Sequence, residues 1–223
     1  MKKLKKILLY VISFILLYLF IGYLLHLLIF PETEVRISEF FQPGDTLYIS
    51  AEKIQLTVIK QEAGKVFCHL EAEAHAPGPP MHIHSGFDEV FKVDAGELSV
   101  MVDGDKRTLK AGEKYTIEQG TPHKSFNETD SSVYATMTDE EALPEAFFVY
   151  LSQIYGYIDE SEENMKPPKV IFQMAMFQQY FDSYLDEGLP VSIQKTMNFL
   201  IVPLARLLGY QSFYDKYDIR DRM

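Results

Sequence analysis

The chain has 223 residues, 47% of them hydrophobic and 24% charged, and a formal net charge of −11. That composition belongs to a folded protein and excludes a disordered or collagenous one. One cysteine, Cys68, excludes an internal disulfide framework and any cysteine-rich zinc module. The acidity argues against a nucleic-acid partner, because neutralising phosphate takes clustered Lys and Arg.

The charge is unevenly spread. Lys2, Lys3, Lys5 and Lys6 open the chain, and no acid occurs before Glu32. Residues 1–6 are therefore expected to be a short cytoplasmic terminus. The run from Ile7 to Phe30 contains no formal charge and is dominated by Leu, Ile, Phe and Val. As a helix it would be about 36 Å long, enough to cross a hydrocarbon layer of about 30 Å. A cleaved signal peptide is the alternative. Its apolar stretch is shorter, about 7–15 residues, and ends in a small-residue cleavage site that is missing here. Residues 7–30 are thus expected to be a retained transmembrane helix stopped by Pro31. Lysines before the span and Glu32 and Glu34 after it place the N-terminus in the cytoplasm and the rest outside, as a single-pass protein of the cell (inner) membrane.

Residues 31–44, with Pro31, Pro43 and Gly44, read as a linker. From Asp45 to Thr138 the pattern is short strands punctuated by turns. Leu98, Val100 and Val102 alternate with Ser99, Met101 and Asp103, the period of a half-buried strand. Asp103-Gly104 is a hairpin signal. Residues 45–138 are expected to form a β-sandwich or small barrel. Residues 139–223 change character, with helices expected over Pro144–Tyr157, Lys169–Glu187 and Val191–Leu208. They are expected to pack on the barrel or form a small subdomain. The uncharged segment Phe199–Ala205 is an alternative membrane-surface element.

One stretch carries chemistry. His82 and His84 are two residues apart, so on a strand they share a face. Glu89 follows across a Ser85-Gly86 turn signal, and His123 lies further on after Gly120. Three imidazoles and a carboxylate suit Mn, Fe, Ni, Cu or Zn and leave positions open for water or substrate. His-x-His also occurs on ordinary strands, so the residues alone leave the site open. His69 and His75 precede the motif and are expected to lie outside the site. Cys68 is expected to be a buried hydrophobe, since nothing nearby marks it as a thiolate.

This segment resembles the cupin superfamily. The first cupin motif matches at His82, His84, Glu89 and Gly96, and the second at Gly112, Gly120, His123 and Asn127. Ala76 and Glu118 stand where the motifs have glycine and proline, and neither is a ligand position. The resemblance implies a mainly β fold, a cupin jelly-roll barrel, with His82, His84, Glu89 and His123 holding a divalent transition metal in its interior. It implies tight turns at Gly96 and Gly112, and it does not specify a reaction. Three functions follow as expectations. The first is a metal-dependent enzyme of dioxygenase, isomerase or lyase type on a small molecule. The second is a non-catalytic module that binds or senses a small molecule at the membrane. The third is a structural role in which metal stiffens the barrel. Expected partners are membrane lipid around the first helix, a small molecule in the barrel, and a second copy of the chain.

Overall fold

A computed structural model describes residues 2–29, 35–38 and 40–219. The chain opens with helix α1 (Lys2–Leu28), then strands β1 (Thr46–Ile49), β2 (Ile54–Glu62), β3 (Lys65–Ala72), β4 (His82–Ile83), β5 (Glu89–Lys92) and β6 (Glu97–Val102). Strands β7 (Asp105–Lys110), β8 (Lys114–Ile117), β9 (His123–Phe126), β10 (Val133–Met137) and β11 (Leu143–Pro144) follow. Helices α2 (Glu145–Glu160) and α3 (Lys169–Phe177), strand β12 (Tyr184–Leu185) and helix α4 (Val191–Leu207) complete the order. The expected Pro31 stop and the Glu32 and Glu34 flank lie outside the described residues.

Two five-stranded antiparallel sheets enclose the core. One runs β1-β2-β3-β10, with β11 also on β3; the other runs β12-β4-β9-β6-β7, and β5 pairs with β8 separately. Alternation decides which side chains go inward. On β2, Ile54, Leu56 and Val58 are buried, while Gln55 and Thr57 are only partly so. Inward residues of both sheets, including Leu56, Val66, Val100 and Val133, join one buried cluster. Gly96, Gly112 and Gly120 all take positive φ, of 89°, 88° and 85°, as tight turns require.

The region after Thr138 is helical in large part, yet it is built into the barrel. Helix α2 starts directly after Pro144, and Glu145 complements the helix dipole in its first turn. Phe147, Phe148, Leu151 and Ile154 of α2 belong to the same cluster as the sheets. Two further strands, β11 and β12, come from this region and pair with β3 and β4.

The helix expected over Lys169–Glu187 ends at Phe177. The apolar spacing continues through Phe181 and Tyr184, but tertiary contacts use it differently. Phe181 stacks on Phe147 with ring centroids 4.6 Å apart, and Tyr184 pairs with Ile83 across two strands. Edge pairing of β12 with β4 replaces the last turns of helix.

Helix α1 is 27 residues long, and nearly all its side chains are exposed. Its one buried residue, Gly22, faces Pro203 of α4 so closely that a Cβ there would lie 2.4 Å from the proline Cβ. The Tyr18 hydroxyl donates to the Leu200 carbonyl at 2.8 Å. Among the described residues α1 is the single helix long and apolar enough to cross a membrane, a criterion that a signal sequence near the N-terminus also meets.

Candidate metal centre

Strand β4 sits between β9 and β12, and its register places His82 directly opposite His123. His84 follows on the same face after one intervening residue. Glu89 comes from β5, whose partner is β8. A close approach makes this possible. Gly78, at φ 62°, runs so near β9 that a Cβ would lie 1.7 Å from the Ser125 carbonyl oxygen. Asn127 anchors the second motif. Its amide donates to the Glu73 and Ser131 carbonyls at 2.8 Å, and its oxygen accepts from Thr129 N at 3.0 Å.

The structure brings together all four residues singled out by the motif. One donor atom from each of His82, His84, Glu89 and His123 lies within 4.8 Å of the others. His84 and His123 are only 2% and 1% exposed. His69 and His75 lie elsewhere and are engaged otherwise, His69 with the Thr136 hydroxyl at 3.3 Å and His75 with Asp130 at 2.9 Å. Cys68 is buried 3.5 Å from the Met137 sulfur, and burial pushes its thiol up to about 12. It is an inert core residue.

The hydrogen bonds identify which ring nitrogens face inward. Nδ1 of His82, His84 and His123 each meets a backbone carbonyl, of Pro80 at 2.9 Å, Asp182 at 2.5 Å and Thr121 at 2.8 Å. A carbonyl only accepts, so each Nδ1 carries the proton and each neutral ring turns an Nε2 lone pair inward. These lone pairs face acceptors. His82 Nε2 is 3.1 Å from His84 Nε2, and Glu89 Oε2 lies 2.7 Å from His123 Nε2 and 3.5 Å from His84 Nε2. Four acceptors, three of them on buried histidines, converge without a donor among them when the rings are neutral. One proton satisfies one such pair, whereas a cation satisfies all four. Metal–nitrogen bonds of about 2.0–2.1 Å put neighbouring donors about 3 Å apart, which these spacings match.

Electrostatics follow from the same geometry. Burial and the neighbouring imidazoles push His82 down to about 4, against the pull of Glu89. Burial is the largest influence on His123 and lowers it, but the hydrogen bond its protonated ring makes to Glu89, the Glu89 charge and the Thr121 carbonyl together leave it raised. Burial raises the Glu89 carboxyl, yet the hydrogen bonds and charges of His123 and His84 hold it below the usual carboxylate range.

Two contributors escaped the sequence reading. Asp182 carries the carbonyl that orients His84, and its carboxylate accepts from Ser85 N at 2.8 Å, Ser85 Oγ at 2.5 Å and Gly86 N at 2.6 Å. Lys195 of α4 donates to the same Ser85 hydroxyl at 2.7 Å. The second is Glu52, a turn residue that is 6% exposed and lines the cavity leading from the centre. That cavity has a volume of ≈600 Å³. It extends from His82, His84 and Glu89 to Ile158 of α2 and Met174 of α3.

Residues 68–139 match the cupin domain family, and the barrel they contribute to is a cupin fold. Three curated fungal relatives carry the name oxidoreductase. They are one from Arthrobotrys oligospora, 27% identical over 62% of this chain, patJ of Aspergillus clavatus, 27% over 64%, and yanE of Aspergillus niger, 30% over 62%. The matches span 59%, 47% and 58% of those relatives' own lengths. Among solved structures, KdgF from Halomonas sp. is 21% identical, with a TM-score of 0.36 over 40% of this chain and 80% of that one. A cupin-2 domain protein from Shewanella frigidimarina is 29% identical, with a TM-score of 0.31 over 35% and 74%.

Proposed function

We propose that this chain is a membrane-anchored cupin protein that holds one divalent transition metal on His82, His84, Glu89 and His123. In this reading it is a metal-dependent enzyme acting on a small molecule in the adjoining cavity. The convergence of three imidazole lone pairs and one carboxylate oxygen within 4.8 Å carries the reading. When bound, the ion supplies Lewis acidity or a binding position for O₂. The chain's own residues orient the imidazoles through backbone carbonyls and keep bulk water from the site by burial. The oxidoreductase names of the fungal relatives favour a redox reaction over an isomerase or lyase reaction.

The anchor is helix α1, whose 27 residues are long and apolar enough to cross a membrane. Positive-inside orientation puts the barrel outside the cytoplasm. A reporter joined after Met223 that works only outside the cytoplasm is the expected result; one that works only inside overturns the topology.

The decisive experiment measures metal content of the purified full chain and then oxygen uptake across a panel of small organic molecules. Turnover that disappears with chelator and returns with one metal supports the enzyme. Saturable binding without turnover favours a non-catalytic binding module. A chain that takes up no metal under any reconstitution overturns the metal centre.

A further inference from the structure

Glu52 has no evident structural reason to be where it is. It lies in the turn between β1 and β2, and that turn is closed by backbone groups, with Glu52 N on the Ile49 carbonyl at 3.2 Å and Lys53 N on the Ser50 carbonyl at 3.4 Å. The side chain contributes nothing to that turn. It is 6% exposed and lines the cavity, and its carboxyl has no hydrogen-bond or ion-pair partner among the described residues. An acid buried without a partner destabilises a fold. Acids retained at such cost cluster at functional sites.

The rest of the cavity defines what the acid faces. Apart from His82, His84 and Glu89, Glu52 and Lys92 are the only charged residues along it among the described residues. The walls are otherwise mostly aliphatic and aromatic, with Leu56 and Val133 from the barrel and Leu151 and Met174 from the helices. At ≈600 Å³ the space falls within the range that encloses a drug-sized molecule. A molecule that fills it buries apolar surface over most of its length. It meets polar groups only at the metal-centre residues, Glu52, Lys92 and a few amides and hydroxyls.

We propose that this cavity binds an apolar organic molecule carrying an oxygen function, a hydroxyl or a carbonyl, and that Glu52 is the hydrogen-bond partner of that oxygen. Burial, with the Glu89 charge adding to it, pushes the Glu52 carboxyl up to about 8. A protonated carboxyl can donate to a carbonyl or hydroxyl oxygen and accept from a hydroxyl. The inference names the ligand class for the enzyme reading above and rests on that reading only for the chemistry at the metal, since the cavity, its lining and Glu52 are independent of metal.

The test uses the full chain in lipid nanodiscs, with metal content measured in parallel. The probes are naphthol and decanol, each paired with its hydrocarbon, naphthalene or decane. Binding is read by ligand-observed NMR against empty nanodiscs, in wild type, Glu52→Leu and Glu52→Gln. Wild type is expected to bind each alcohol about tenfold more tightly than its hydrocarbon, the worth of a buried hydrogen bond. Glu52→Leu should abolish that preference while still binding the hydrocarbons, and Glu52→Gln should restore most of it. Glu52→Leu should also raise the melting temperature, which separates a lost ligand contact from a lost fold. Equal binding of alcohol and hydrocarbon in wild type, or an alcohol preference that survives Glu52→Leu, overturns the inference. So does failure of every probe to bind a chain with full metal content. A chain without metal that still shows a Glu52-dependent preference supports the inference and overturns the metal centre instead.

Discussion

The main-chain carbonyl of Asp182 lies 2.5 Å from Nδ1 of His84, across 98 positions of sequence. The helical region thereby sets the tautomer of a residue in the first cupin motif. The Asp182 carboxylate adds three hydrogen bonds to Ser85 and Gly86, so the loop after His84 is held from the same point. Groups that orient metal-bound histidines commonly change affinity by about 10–100-fold when removed. Asp182→Ala keeps the carbonyl and loses the carboxylate. It should weaken metal binding about tenfold at that scale, with stoichiometry unchanged at saturation. Chelator competition measures this, and Asp182→Asn should fall between the two. An unchanged affinity would show that the carboxylate has no part in orienting His84.

Metal content should separate the six residues of interest. His82→Ala, His84→Ala, Glu89→Ala and His123→Ala should each lose the ion, and double variants should lose little more than singles, because residues sharing one ion are not independent. His69→Ala and His75→Ala should keep full occupancy, since their partners are Thr136 and Asp130. Full occupancy in His123→Ala would mean the ligand set is misassigned.

Occupancy should also depend on pH with a definite sign. Protonated imidazole cannot coordinate, so acid competes with metal. His123 is raised from 6.5 by Glu89, while His82 is lowered to about 4. His123 should therefore take the first competing proton, and apparent metal affinity should weaken progressively as pH falls through the imidazole range. Metal titrations across this range check it. In His123→Gln the remaining metal affinity should be flatter near neutrality.

Glu52 gives the metal-free protein a pH signature of the opposite kind. Its carboxyl is raised from 4.5 to about 8 by burial. The folded chain therefore keeps a proton that the unfolded chain releases, and stability falls as pH rises between those values. The slope is about 1.4 kcal/mol per pH unit for one proton. Other groups titrate in the same window, so the difference between wild type and Glu52→Gln isolates this one. Chemical denaturation at several pH values should show the two curves diverging towards alkaline pH, with the variant more stable. Parallel curves would mean Glu52 ionises as an ordinary carboxylate.

Gly78 should be among the least replaceable positions in the barrel. An added Cβ would lie 1.7 Å from the Ser125 carbonyl oxygen, next to the strand that carries His123. The clash is with backbone, so it cannot be relieved by a rotamer. Gly78→Ala should cost more than about 3 kcal/mol, the range of severe packing defects. Gly104 also has positive φ but open space around it, so Gly104→Ala should cost only about 1 kcal/mol. Thermal unfolding of the pair measures the contrast.

His82, His84, Glu89 and His123 were legible as a set before folding only through the resemblance of their segment to the cupin motifs. Local spacing by itself put His82 and His84 on one face of a strand and left the site open. Alternation in Glu97–Val102 and the apolar length of α1 are local in the same way, and the sheets and the first helix follow from them. Glu52 and Asp182 were not legible. In sequence Glu52 lies near the start of the expected β region and Asp182 within the helix expected over Lys169–Glu187, and a charged side chain in either place ordinarily faces solvent. Whether such a side chain faces water or a cavity depends on what packs above it, and here helix α2 and strand β12 arrive from about 100 positions away. The same distance hid the end of α3. The apolar spacing of Phe181 and Tyr184 suits a helix, and only the presence of Phe147 and the open edge of β4 makes a strand the better way to bury them. Local periodicity determined which side chains face inward. What they face was decided by contacts between segments that the linear order does not relate.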